Sequence, residues 1–324
     1  MRLRSFLLPC LVLAVAFSSP PVLGQKSAKY IPPEDLNWSQ QDVMSEGTRL
    51  TAERFALKNL NSKKLPTIIM CHGWGGVAAQ LRADAVVFAR AGYLVVTFDY
   101  RGWGASDGRV ILTKPAPSDR AGVTFTAEVR EVREIVDPLD QTTDLLNMIH
   151  WVQGQPRCDT SRIGLWGSSY SGGHVVYAAA RDARVKATVS QVPALDSRWV
   201  LQTKQAREQT YSEATRRSRG EIGYPEPGAK VIGNLRGAPI PEKLMNYAPV
   251  EDANKAPGCA MLFILAEKEE LFDNKDHGVK AHERAKGPKK VVVIPKITHY
   301  GVYGQARGQA QKLALEWFDQ HLKN

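Results

Sequence analysis

The chain has 324 residues, 43% of them hydrophobic, and a formal net charge of +10 at pH 7. This length fits one large domain or a domain with an insertion. Outside residues 207–219 the basic residues are scattered, and no basic motif is interleaved with aromatic residues. The charge therefore indicates a solvated basic surface, and composition argues against nucleic acid as a partner.

The first two dozen residues resemble a secretory signal peptide. Two arginines precede an apolar run at residues 6–17, and small residues at 22–24 precede Gln25. The serines and prolines at 18–21 end the apolar run well short of the roughly 20 residues of a membrane span. We expect residues 1–24 to be removed and residues 25–324 to be exported, to the periplasm or outside the cell, with no membrane span.

Three cysteines follow the predicted signal: Cys71, Cys158 and Cys259. An odd number allows at most one disulfide within the chain, and spacing alone leaves its pairing open. Cys71 ends an apolar run, which favours a buried thiol.

Beyond residue 40, predicted strands alternate with predicted helices. An antiparallel pair is expected in 41–58, turning at Glu46-Gly47. Further strands are predicted at 67–71, 93–98, 187–192, 260–265 and 291–294, and another ends at residue 166. Helices are predicted at 77–91, 137–152 and 309–322, and another begins at residue 172. This order predicts a mostly parallel sheet flanked by helices. Residues 110–135 look irregular, and residues 197–257 predict a cap-like insertion over the sheet.

The strongest motif is the run Gly167-Ser168-Ser169-Tyr170-Ser171-Gly172, which follows a short apolar strand and opens a helix. A serine between small residues at such a turn is typical of a nucleophile elbow. Ser169 is the predicted nucleophile. Ser171 stands where glycine is usual, and a serine-rich loop is the alternative interpretation.

A serine nucleophile needs a general base, and the base needs a carboxylate that orients it. The order expected after the elbow is acid and then histidine, each following a strand. His299 follows the last predicted strand and is the candidate base. The preceding strand ends in an acidic loop that offers four candidate carboxylates. We select Glu269, with Glu270, Asp273 and Glu267 as alternatives.

An oxyanion formed at Ser169 requires backbone donors. The residue after the nucleophile, Tyr170, supplies one N–H, and the glycine-rich loop HGWGG at 72–76 supplies another, assigned to Trp74. We expect His72 to orient this loop. His277 and His282 lack metal-ligand spacing, so we expect no metal and no cofactor.

Together these motifs resemble a known family. The segments HGWGG, FDYRGWGASDG (98–108) and GSSYSGG, followed by the acidic loop and His299, are similar to alpha/beta-hydrolases of the Xaa-Pro dipeptidyl-peptidase and esterase-like group. The resemblance spans nearly the whole chain after residue 24, and its looser elbow pattern accommodates Ser171. A glutamate stands where the family usually has an aspartate, which leaves the acid the least certain member.

The resemblance implies hydrolysis of an ester or amide of a small molecule through an acyl-enzyme, and it leaves the substrate open. We expect an exported carboxylesterase-like serine hydrolase. The alternatives are a Xaa-Pro dipeptidyl-peptidase-like enzyme, which we rank lower because the predicted cap is basic, and a noncatalytic binding protein on the same fold. Six residues of the predicted cap are candidate substrate contacts: Trp199, Arg207, Tyr211, Arg216, Arg217 and Arg219. The oligomeric state stays open.

Overall fold

A single eight-stranded sheet organises the chain in the computed structural model, which describes residues 30–60, 63–119, 121–228 and 235–323. The predicted signal peptide lies outside these residues. From Pro33 onward the described residues belong to one compact unit. The strands in the described ranges are β1 (Leu36–Ser45), β2 (Thr48–Leu57), β3 (Leu65–Cys71), β4 (Leu94–Phe98), β5 (Arg109–Leu112), β6 (Val129–Val132), β7 (Ile135–Val136), β8 (Cys158–Ser168), β9 (Val185–Gln191), β10 (Ala238–Pro239), β11 (Ala260–Lys268) and β12 (Lys289–Thr298).

In the part of the chain that the structure describes, α-helices connect or cover these strands. They are α1 (Arg82–Arg90), α2 (Pro138–Gln153), α3 (Tyr170–Ala179), α4 (Lys204–Ser218), α5 (Pro241–Leu244), α6 (Lys280–Arg284) and α7 (Arg307–Phe318). Short turns of other helical types occur between them, including one directly after β12 at His299–Tyr303.

The sheet order is β1-β2-β4-β3-β8-β9-β11-β12. The first two strands pair antiparallel, β2 also meets β4 antiparallel, and all later neighbours are parallel. Parallel strands require crossover connections, which the helices provide. This arrangement confirms the predicted mostly parallel, helix-flanked sheet.

Helices pack on both faces of the central strand β8. A side chain at Gly164 would collide with Phe318 and Leu322 at the end of the chain, whereas one at Gly167 would collide with α3. Residues three apart on a strand point to opposite faces. The middle strands are therefore buried on both sides, and β3 is buried along its whole length.

Two predicted segments differ in detail from the structure. The stretch 110–135 contains an antiparallel ribbon of β5 and β6, whose residues are mostly exposed, and the short strand β7. In residues 197–257 the structure shows α4, α5 and the short strand β10, which pairs with β7. The extent of a cap at 197–257 stays a prediction.

The three described cysteines are buried and form no disulfide. Burial raises the pKa of the Cys71 and Cys259 thiols to about 12. These thiols are neutral groups of the core. Among the residues that the structure describes, no helix is long and apolar enough to cross a membrane.

Candidate active site

Ser169 lies between the end of β8 and the start of α3, in a backbone conformation rare for a residue with a side chain. Its φ is 56° and its ψ is −120°. Its neighbours are closely packed, since a Cβ at Gly172 would lie 2.6 Å from Cβ of Pro193, and one at Gly167 would collide with the Ser171 carbonyl. A strained turn of this kind projects the serine hydroxyl away from the sheet.

Ser171, the irregular position of the motif, has a structural role. Its buried hydroxyl donates a hydrogen bond to the carbonyl oxygen of His72 and lies 2.9 Å from the Tyr100 hydroxyl. Glycine could make neither contact. The serine therefore ties the elbow to the glycine-rich loop that follows β3.

Ser169, His299 and Glu269 form a continuous hydrogen-bonded chain. The Ser169 Oγ atom lies 3.0 Å from Nε2 of His299. The other ring nitrogen, Nδ1, lies 2.9 Å from both carboxylate oxygens of Glu269. The side chains of His299 and Glu269 are each only 2% exposed. A carboxylate at Nδ1 favours the tautomer that carries its proton there, leaving Nε2 free to accept the serine proton.

The acidic loop places its other carboxylates elsewhere. Glu270 accepts a hydrogen bond of 2.6 Å from the backbone N–H of His299. Glu267 accepts one of 2.7 Å from the N–H of Lys296, and Asp273 accepts one from Lys275. Glu267 and Glu270 thus hold the backbone that carries His299, and the structure brings only Glu269 to its ring.

The loop at 72–76 packs directly against the nucleophile. A Cβ at Gly73 would lie 3.0 Å from Cβ of Ser169 and 3.0 Å from the Ser168 carbonyl. In the described part of the chain, neither the N–H of Trp74 nor that of Tyr170 has a hydrogen-bond acceptor. The indole of Trp74 donates to the Gly237 carbonyl at 3.1 Å and packs on the Tyr170 ring. Two unused donors therefore flank Ser169.

The histidine at the start of this loop is a buried structural group. Nδ1 of His72 lies 3.0 Å from the Gly73 carbonyl, and its other ring nitrogen accepts from the N–H of Tyr100 at 3.5 Å. Burial lowers the pKa of His72, so its ring is neutral at pH 7. These contacts fit the expected role of orienting the loop.

The FDYRGWGASDG segment stabilises the surroundings of the loop and lines neither of the cavities described below. Asp99 accepts hydrogen bonds from the N–H groups of Ala78 at 2.6 Å and Ala105 at 2.9 Å. Arg101 forms a buried ion pair with Asp144 at 2.6 Å.

Among the described residues, two neighbouring cavities are bordered by Ser169. The first, about 530 Å³, is lined by His299 and by Tyr303 in the turn after it, and we name it the His299 cavity. The second, about 620 Å³, is lined by Tyr170, Trp199 and Phe272, and we name it the Tyr170 cavity. Ser169, Trp74 and Leu235 border both. Ser169 thus lies where the two cavities adjoin.

Of the six candidate contacts in the predicted cap, only Trp199 lines a cavity. Arg217 forms an ion pair with Glu242, and Arg216 and Arg219 both pair with Glu221. Acidic neighbours within the same segment therefore pair with Arg216, Arg217 and Arg219, and contact of the four arginines with a substrate stays a prediction. Arg236 does line the His299 cavity, where it pairs with Glu134.

Sequence reasoning missed a polar group beside the nucleophile. The hydroxyl of Tyr303 lies 2.8 Å from that of Ser168. The Ser168 hydroxyl also accepts a hydrogen bond of 3.1 Å from the side-chain amide of Gln191. Tyr303 is 42% exposed as a residue, yet its hydroxyl is withdrawn from water, and this desolvation raises the pKa of Tyr303 to about 12. Tyr303 belongs to no short motif, and its position four residues after His299 is the one signal that could have identified it.

Metal binding finds no support in the described parts of the chain, where no group of three or more histidine, cysteine or acidic residues could hold an ion. His277 is buried and accepts a hydrogen bond of 2.8 Å from the N–H of Leu195. Burial lowers its pKa. His282 packs against Phe263.

Comparison with known proteins agrees with this geometry. A family model described as X-Pro dipeptidyl-peptidase (S15 family) matches residues 46–215, and one described as prolyl oligopeptidase family matches residues 138–324. An uncharacterized 31.7 kDa protein in the traX-finO intergenic region of Escherichia coli is 29% identical over 308 residues, covering 86% of this chain and 98% of that protein.

Solved structures share the fold at low sequence identity. The hypothetical protein PA2218 from Pseudomonas aeruginosa has a TM-score of 0.72 at 19% identity, covering 93% of this chain and 98% of that one. The alpha/beta hydrolase GrgF from Penicillium sp. sh18 has a TM-score of 0.68 at 20% identity, covering 89% and 99%. This chain is therefore a hydrolase of the alpha/beta-hydrolase superfamily and belongs to the X-Pro dipeptidyl-peptidase (S15) family.

Proposed function

We propose that this protein is a serine hydrolase that cleaves carboxylic esters of small molecules through an acyl-enzyme intermediate. The observation that carries the proposal is the chain from Glu269 through His299 to Ser169, with all three hydrogen-bond distances between 2.9 and 3.0 Å. Such a chain activates a hydroxyl that is otherwise a weak nucleophile at neutral pH.

In the proposed reaction, Nε2 of His299 takes the proton of Ser169 while the hydroxyl oxygen attacks the ester carbonyl. The N–H groups of Trp74 and Tyr170 stabilise the negative oxygen that forms. His299 then protonates the departing alcohol, and water releases the acid in a second, equivalent step. Glu269 stays ionised and stabilises the imidazolium.

The walls of the Tyr170 cavity favour an ester over a peptide. They include aromatic and aliphatic side chains, among them Trp199, Leu271 and Phe272. A peptidase that releases dipeptides must also bind the free amino terminus of its substrate, which requires a negative charge that is not already paired. Asp196 lines this cavity, but Arg198 pairs with it at 2.5 Å.

A dipeptidyl-peptidase is the second candidate, and one observation favours it. Asp273 and Asp276 also line the Tyr170 cavity, where their carboxylates are exposed. Because Arg207, Arg216, Arg217 and Arg219 line neither cavity, and Arg236 is paired with Glu134, the basic cap no longer argues against a peptidase. A substrate with a free amino terminus would place its ammonium group near these two aspartates.

Two assays test the proposal. A fluorophosphonate probe should label the folded protein, and Ser169→Ala should abolish the labelling without changing the circular dichroism spectrum. A folded protein that binds small esters but resists the probe would instead support a noncatalytic binding protein. Turnover of p-nitrophenyl esters without turnover of Gly-Pro-p-nitroanilide would support the esterase, and the reverse result would favour the peptidase.

We also propose that the protein is exported after removal of residues 1–24, on the basis of the charged and apolar pattern of that segment. Sequencing of the amino terminus of the protein recovered from its native cells tests this. An amino terminus at Gln25 is expected, and an intact Met1 in the exported fraction would contradict the assignment.

A further inference from the structure

The two cavities beside Ser169 are not equivalent with respect to the catalytic histidine. His299 lines the His299 cavity and not the Tyr170 cavity, whereas Tyr170, which carries one of the unused N–H donors, lines only the latter. In serine hydrolysis the histidine that accepts the serine proton later gives it to the leaving group. The leaving alcohol must therefore lie within reach of Nε2 of His299, in the His299 cavity, and the acyl group extends into the Tyr170 cavity.

The His299 cavity is lined by charged groups that are already paired. Arg307 binds Asp84 at 2.8 Å, and Arg236 pairs with Glu134. Gln311, another lining residue, donates to Asp84 at 2.6 Å. With these charges compensated, the cavity suits an uncharged alcohol rather than an anionic or cationic one.

Tyr303 is a polar group of this cavity that lies beside the catalytic residues. Its hydroxyl is 2.8 Å from that of Ser168, the residue directly before the nucleophile, and its ring contacts the ring of His299 at a centroid distance of 6.3 Å.

The hydrogen bonds around Ser168 determine what the Tyr303 hydroxyl can do. The amide of Gln191 donates to the Ser168 hydroxyl oxygen at 3.1 Å. Ser168 can then donate its own proton to the oxygen of Tyr303. This order, from Gln191 to Ser168 to Tyr303, leaves the phenolic proton free to point toward Ser169 and the space beside it.

We propose that Tyr303 donates a hydrogen bond to the oxygen of an uncharged leaving alcohol in the His299 cavity. The inference rests on the proposed ester hydrolysis. As the bond from Ser169 Oγ to the acyl carbon forms, the carbonyl oxygen takes up the electrons of its double bond and becomes the oxyanion. When this intermediate collapses, the carbonyl re-forms, the bond from the acyl carbon to the alcohol oxygen breaks, and the alcohol oxygen takes that bond's electrons and the proton held by His299. Tyr303 keeps its own proton and stabilises the charge that develops on the alcohol oxygen. In the second step the same hydroxyl holds the attacking water.

Esters of one acid with different alcohols test this role. Acetate esters of p-nitrophenol, phenol, trifluoroethanol and ethanol span a wide range of leaving-group pKa. An alcohol with a high pKa develops more negative charge that needs stabilisation as it departs. Hydrolysis of the acetyl-enzyme is the same step for all four esters, so kcat/KM, which reports acylation, is the quantity to compare. For Tyr303→Phe we expect kcat/KM to fall by roughly 10- to 100-fold for the ethyl ester and by less than about 3-fold for the p-nitrophenyl ester.

Two controls make the outcome decisive. Tyr300→Phe removes a neighbouring hydroxyl that has no hydrogen bond to Ser168 or Ser169 among the described residues, so any change is expected to be the same for every ester. Labelling of Tyr303→Phe by a fluorophosphonate probe, whose fluoride needs no such hydrogen bond, should proceed at nearly the wild-type rate and reports an intact nucleophile.

A loss in Tyr303→Phe that is equal for all four esters, or no loss at all, would overturn the role of Tyr303 while leaving the esterase in place. If the wild-type protein itself shows neither probe labelling nor ester turnover, the proposed function fails first, and the inference built on it fails with it.

Discussion

Replacement of Glu269 by glutamine tests the candidate site most directly, because it removes one charge and keeps the shape of the side chain. Leu271 donates its N–H to Oε1 at 3.2 Å, which fixes that atom as the oxygen and leaves the new NH₂ group at the other position. The amide then faces Nδ1 of His299, where both carboxylate oxygens lie at 2.9 Å. The variant therefore loses the charge that stabilises the imidazolium, and it also weakens the preference for the productive tautomer.

The size of the effect follows from the geometry. The charges on the imidazolium and the carboxylate are delocalised, so their centres lie somewhat further apart than the 2.9 Å contact, at about 4 Å. Two unit charges at this separation interact by about 4 kcal/mol at an effective dielectric constant near 20. Each 1.36 kcal/mol corresponds to a factor of ten in rate. We therefore expect Glu269→Gln to lower kcat/KM by about a thousandfold.

The neighbouring acids provide matched controls within the same loop. Glu270→Gln retains a carbonyl oxygen that can accept the His299 N–H, and Glu267→Gln retains one for Lys296. We expect each of these variants to lose less than about tenfold in p-nitrophenyl ester turnover, with all three proteins unfolding at similar urea concentrations. A loss for Glu270→Gln as large as that for Glu269→Gln would refute the assignment of Glu269 as the carboxylate that acts on the ring.

Three further predictions concern the elbow and the core beneath it. Ser171→Ala should lower the free energy of unfolding by about 1–3 kcal/mol in urea titrations, because the buried His72 carbonyl loses its donor, and an unchanged value would show that this bond contributes nothing. Gly73→Ala should lower kcat/KM by about tenfold with a nearly unchanged melting temperature. The new Cβ would lie 3.0 Å from Cβ of Ser169 and would displace the nucleophile by a few tenths of an ångström. An unchanged kcat/KM would refute the close packing. Burial lowers the pKa of His174 to about 3, whereas an unfolded histidine titrates near 6.5, so the unfolded chain binds the additional proton between these values. The stability that depends on neutral His174 is complete above pH 6.5 and is lost as the pH falls toward 3. Between these values, His174→Gln should reduce the slope of the unfolding free energy against pH by about 1.4 kcal/mol per pH unit. An equal slope in both proteins would contradict this.

Local signals account for most of the fold. The short apolar runs at 67–71 and 260–265 predict strands, and both are buried strands of the sheet. Asp137 and Pro138 predict a helix start, and Asp137 does accept hydrogen bonds from the first turn of α2. The ribbon of β5 and β6 was missed because its strands are short and mostly exposed, so their sequence shows neither a continuous apolar run nor a regular alternation.

The site residues were predictable where a strand is followed by a single candidate of the required type. Ser169 and His299 each directly follow a strand, so the order of the chain is sufficient to select them. The acid was harder, since four carboxylates follow β11 and sequence alone cannot show which of them turns toward the ring. The contact of both Glu269 oxygens with the His299 ring depends on the backbone path of a single loop. The same path directs other acids to backbone N–H groups, as Glu270 accepts from the N–H of His299.

The specificity determinants were not predictable, because they depend on pairings between residues far apart in the chain. The basic run at 207–219 predicts a cationic surface over the site, yet Arg217 is held by Glu242, 25 residues away. Conversely, Tyr303 has no charge and belongs to no motif. Its proposed role in the reaction depends on a contact between its hydroxyl and that of Ser168, 135 residues earlier. A formal charge in the sequence therefore says little about the field at Ser169 until its partner is known. The side chains that distinguish one substrate from another are better sought among uncharged groups whose protons face the cavity.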